Sequence, residues 1–119
     1  MEPGKRAAEA RAKMNRQRTE LVELSPGHAK MLGVPQLELH APTMAVSNAA
    51  FRAEGWDTLA IALSAMVWMP AEGEQPAEPL WPNPSDVGAV DAGNAPAVNW
   101  LYEKALAFIV AGRGAAPKG

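Results

Sequence analysis

Between Leu59 and Met69 the chain runs Leu-Ala-Ile-Ala-Leu-Ser-Ala-Met-Val-Trp-Met, and Pro70 stops it. Wound as a helix, this run is apolar on nearly every side, with Ser64 as its one interruption. A helix of that kind is buried all round or covered by another subunit. It is too short to cross a bilayer, which takes about 20 residues. A second stretch, Ala107 to Ala111, is also apolar all round. The whole chain has 119 residues, enough for one domain, and a domain of this size buries only about two-thirds of the surface its unfolded chain exposes. Some of the apolar surface is therefore expected to face another chain.

Helix signals recur along the sequence. Residues 3–24 read as one helix with a frayed start, rich in Ala but poor in apolar face until Leu21, Val22 and Leu24. Ser25-Pro26-Gly27 marks a second start, with Ser as N-cap and Pro in the first turn, and Gly33 closes that helix. Thr43 caps a third, in which Met44, Val46, Ala50 and Phe51 follow at helical spacing. Gly55 either ends that helix or is run through on the way to Met69. Asn94 and Pro96 open the last one, where Leu101, Ala105, Phe108 and Ile109 form a core stripe. Gly112 is its expected C-cap. One segment, Val34 to His40, alternates apolar and polar residues as a strand does, but finds no obvious partner. The expected fold class is thus mainly α: a small bundle of about four helices with at most one short extended segment. The expected organisation is a basic N-terminal arm or helix over 1–24, a single helical domain over 25–112 and a flexible tail over 113–119.

Residues 70–95 interrupt the pattern with Pro70, Pro76, Pro79, Pro82 and Pro84 and no basic residue. The acidic Glu72, Glu74, Glu78, Asp86 and Asp91 all fall here. A loop this long inside a small domain is unusual and is either functional or disordered. Its middle holds Leu80 and Trp81 between prolines, which disordered linkers rarely do. It reads as an extended arm whose Trp81 anchors on this chain or on a partner. Trp56, Trp68 and Trp100, in or beside helices, read as core anchors.

Charge is divided unevenly. Lys5, Arg6, Arg11, Lys13, Arg16 and Arg18 face only Glu2 and Glu9 within the first eighteen residues, whereas the whole chain is −2. These six basic residues are the candidate polyanion-binding set, although no aromatic residue stands among them to stack on bases. The charged N-terminus is followed by no apolar h-region, so no secretory signal is expected and the chain reads as cytoplasmic.

Chemistry-bearing motifs are scarce. There is no Cys, which removes disulfides and thiolate nucleophiles. His28 and His40 stand twelve apart without an HExxH frame, and no Gly-rich phosphate loop occurs. Glu38 and His40 share one face if their segment is extended, the closest approach to an acid–base pair. No residue set recommends an enzyme, and no cofactor or metal is expected. The reading is a non-catalytic protein-interaction module: an adaptor, chaperone or accessory subunit of a larger assembly such as a virion or secretion machine. Its partner is a second copy or another protein, met through Ile61, Met66, Trp68, Leu80, Trp81, Phe108 and Ile109. The alternative is nucleic-acid binding through the basic arm.

Overall fold

Residues 4–14 and 18–114, described in a computed structural model, fold as an α+β protein and not as a mainly helical bundle. Among them stand six α-helices, α1 (Lys5–Met14), α2 (Pro26–Leu32), α3 (Met44–Arg52), α4 (Trp56–Met66), α5 (Pro84–Gly88) and α6 (Ala95–Gly114). They accompany a four-stranded antiparallel sheet in the order β1-β2-β3-β4, formed by Thr19–Glu23, Gln36–His40, Val67–Met69 and Glu78–Pro79.

The expected helix over 3–24 breaks into α1 and β1. The described α1 side chains from Lys5 to Lys13 are all exposed, so this helix rests on the helix propensity of its alanines. After it, β-branched Thr19 and Val22 suit a pleated surface. Pairing with β2 places Val22 opposite Leu37 on the core side and Leu21 opposite Glu38 on the outer side. The extended segment near His40 therefore has a partner, and that partner lies in residues that look helical in isolation.

The apolar run from Leu59 is likewise split. Helix α4 stops at Met66, where Val67 turns extended (φ −96°, ψ 119°), and Val67 pairs with Leu39. A β-branched and then an aromatic residue favour that change, and Pro70 disfavours helical geometry at Met69. The run is covered by its own chain: Ala60, Ala62, Leu63, Ser64 and Met66 are buried.

The proline-rich stretch is not a structureless loop. Glu72 and Gln75 exchange backbone bonds of 3.0 and 2.9 Å around Gly73, whose φ of 59° suits a residue without Cβ. This turns the chain so that β4 lies on β3, with Pro79 opposite Trp68 at the sheet edge, where a missing N–H is tolerated. Trp81 then enters the core with only 7% of its surface exposed. Pro84 opens α5, where the Asn83 N–H donates to the Asp86 carboxylate at 2.9 Å. Asp91 accepts from the Gly93 N–H at 2.7 Å in a short 3-10 turn over Ala92–Asn94.

Local signals do place α2. Ser25 caps it, Pro26 stands in its first turn, and Gly33 ends it at φ 75° with its N–H on the Ala29 carbonyl. Helix α6 follows its expected stripe, burying Leu101, Ala105 and Phe108, but runs through Gly112 to Gly114. The core lies between the sheet and the helices. Leu37, Leu39 and Val67 from the strands meet Leu63 and Met66 of α4, Leu101 and Phe108 of α6, and Trp81 and Val87. Among the described residues no helix is long and apolar enough to cross a membrane.

Candidate interaction face

Helix α3 begins where Thr43 Oγ1 accepts the Val46 N–H at 3.3 Å. It turns Val46, Ser47 and Ala50 inward, but buries none of its residues fully. Met44 and Phe51, two turns apart, are 88% and 89% exposed. Across from them, α6 presents Leu106 and Val110, 43% and 64% exposed. Between the two helices lies a trough of about 220 Å³. Its floor is Ala62 and Met66 of α4, and Phe51, Leu106, Ile109 and Val110 form its walls. Small side chains at Ala50 and Ala62 leave the space, and every residue lining it is uncharged. Single exposed apolar residues are ordinary, but contiguous apolar patches of several hundred Å² mark interaction sites.

The structure distributes the sequence-predicted partner residues between the core and its margin. Met66, Trp81 and Phe108 are buried in their own chain, while Ile61, Trp68, Leu80 and Ile109 are half-buried. Met66 and Ile109 line the trough; the others stand elsewhere. Phe51, Met44, Leu106 and Val110, the residues that give the face its exposure, carry no motif. The one signal for them is that α3 and the end of α6 have more apolar residues than one buried face can use.

The basic arm is also divided. Lys5, Arg6, Arg11 and Lys13 are exposed along α1. Arg16 lies outside the described residues, as do positions 115–119 of the expected tail. Arg18 is engaged: its guanidinium sits 3.9 Å from the centre of the Phe108 ring and donates to the Phe108 carbonyl. That contact ties the start of β1 to α6 by charge-assisted hydrogen bonding and cation–π attraction.

The expected pairing of Glu38 and His40 is present on the outer face of the sheet. Glu38 Oε1 and His40 Nε2 are 2.5 Å apart. The His40 ring stacks on Trp68, 4.3 Å between centres and 3° from parallel, and Trp68 Nε1 donates to the Ala65 carbonyl at 3.0 Å. One face and one nitrogen of His40 are thus taken, and its side chain is 13% exposed. The trio acts as cross-strand packing, since Glu38 stands directly opposite Trp68. His28 meets Trp100 at 5.0 Å, and Lys104 lies 5.3 Å from the Trp100 ring centre. A second hollow of about 220 Å³ lies between Trp56, Val87, Val90 and Val98, with Asp91 and Asn99 among its lining residues. Among the described residues no group of three His, Asp or Glu side chains is placed to hold a metal ion.

Compared with protein-family models, curated proteins and solved structures, the chain matches none.

Proposed function

We propose that this chain is a non-catalytic accessory subunit that docks a partner protein through the trough between α3 and α6. The observation that carries this reading is the joint exposure of Phe51, Val110 and Leu106 around an uncharged hollow, with Met44 exposed two turns before Phe51 on α3. The occupant is an apolar helix of a partner subunit. A trough walled by two helices fits a third laid into it, with anchors at i, i+3 or i+4 and i+7. No charge lines it, so a charged segment would lose solvation without gaining a counter-ion. Four large side chains this exposed present several hundred Å² of apolar area, the order of one partner's share of a specific interface.

The test compares the full chain with Phe51→Asp and Val110→Asp. An apolar partner helix bound at fixed stoichiometry should lose at least tenfold in affinity to each variant, with Tm within a few degrees of wild type. Equal retention by all three proteins would move the interface off this face.

A second reading rests on α1. Lys5, Arg6, Arg11 and Lys13 are exposed, and none has an ion-pair partner among the described residues. A solvated basic helix suits a polyanion, and such binding would weaken linearly in log–log salt plots. Replacing the four residues by Gln should abolish any nucleic-acid binding and leave the trough's partner bound.

A further inference from the structure

The sheet has two unlike edges. On one side β4 is two residues long and contains Pro79, which has no N–H to offer, so this edge is blunted against further pairing. The other side is β1, five residues from Thr19 to Glu23 with no proline, lysine or glycine, exposed at every position except Val22. Nothing on β1 removes a donor or twists the edge away.

Which groups face outward follows from the ladder. The Ala41 N–H donates to the Arg18 carbonyl at 2.8 Å and the Leu24 N–H to the Pro35 carbonyl at 3.0 Å. Bonded and non-bonded pairs alternate in an antiparallel ladder. Glu20 and Val22, opposite Leu39 and Leu37, therefore turn their backbone groups toward β2. Thr19, Leu21 and Glu23 turn their N–H and C=O groups to the open edge, where no described residue hydrogen-bonds them. Leu21 is also 52% exposed on the outer face.

We infer that β1 pairs antiparallel with β1 of a second copy of this chain, about a two-fold axis at Leu21, making one continuous eight-stranded sheet. In that register Leu21 faces its own symmetry mate and Thr19 faces Glu23, each pair exchanging both of its backbone bonds. The strand is self-complementary there. Glu20 lies opposite Val22 and Glu23 opposite Thr19, so no carboxylate stands directly against another, an arrangement that would be destabilising. An axis at Glu20 would set carboxylate against carboxylate, so the two glutamates select the register. The two Leu21 side chains meet on the outer face and cover one another. This interface is isologous and closes at two copies. It leaves the trough between α3 and α6 free, and does not depend on it.

Amide exchange on the full chain reads this residue by residue. Raising the protein concentration should slow exchange at Thr19, Leu21 and Glu23 at least tenfold, leave Glu20 and Val22 unchanged, and double the mass measured by light scattering. Leu21→Pro removes the central outward donor at a position where an edge strand tolerates proline, and should return the mass to that of one chain. Should that variant unfold, Leu21→Cys in this cysteine-free chain serves instead. Its two sulfurs should join rapidly under mild oxidation, and a Phe51→Cys control should not. Monomeric mass with fast, concentration-independent exchange at the three positions would overturn the inference. So would a dimer that survives Leu21→Pro but dissociates with Phe51→Asp, which would assign the contact to the trough. Concentration-independent protection of the edge in a monomer would also overturn it, since another part of the chain would then cover β1.

Discussion

Helices α3 and α4 follow one another in the chain and are of similar length, yet they play opposite parts. Five of the eleven residues of α4 are buried, and none of the nine in α3 is. The difference lies in what surrounds them. From Leu59 on, helix α4 is apolar on nearly every side, and the sheet, α5, α6 and α3 each cover part of it. Helix α3 lies on that assembly from outside, and its second apolar set, Met44 and Phe51, finds nothing to cover it. An all-apolar helix forces the chain to wrap it. A helix apolar on two sides leaves one side for something else.

The largest expected effect tests how α4 is covered. Trp81 reaches the same core cluster from the proline-rich segment, and Trp81→Ala should destabilise by about 3–5 kcal/mol in urea titration. A loss below about 1 kcal/mol would show that this segment is not a wall of the core. Next, Leu63→Ala within α4 should remove about 2–5 kcal/mol, since Leu63 is fully buried. Arg18→Ala should remove about 1–2 kcal/mol by loosening β1 from α6, with Arg18→Lys recovering only part because Lys lacks the planar fork. Thr43→Ala, which deletes the cap of α3, should cost about 1 kcal/mol. Smallest of all, Phe51→Ala should change stability by no more than about 0.5 kcal/mol while weakening partner binding. A multi-kcal loss at Phe51 would erase the contrast between the two helices.

The comparison also shows where reading residues in order succeeds. Ser25, Pro26 and Gly33 act through their own backbone geometry, so α2 is legible without knowing its neighbours. The stripe Leu101, Ala105 and Phe108 needs only helical periodicity and a core somewhere. Alternation at Leu37 and Leu39 likewise shows that β2 is extended and that Glu38 and His40 share its other face. The exposed apolar face between α3 and α6 was half legible. The apolar end of α6 is visible in the sequence, whereas the coverage of α4 and the exposure of Phe51 are not, because exposure depends on which helix ends up outside.

Strands β1, β3 and β4 were the hidden part of the fold. Strands β3 and β4 are three and two residues long, too short to carry a periodicity of their own, and β1 keeps four of its five residues exposed and so shows no alternation like that of β2. A helix bonds to itself, four residues along, and so its residues specify it locally. A strand has no bonds of its own; Thr19–Glu23 becomes one only because Gln36–His40 lies beside it, and Val67–Met69 because Leu39 and Glu38 receive it. The residues alone therefore determined the caps of α2, the N-cap of α3, the core stripe of α6 and the need to cover the apolar run from Leu59 to Met69. Tertiary pairing decided the sheet, the docking of Trp81 and the outward face of α3, because in each case the stabilising partner is distant in sequence and becomes adjacent only in the folded chain.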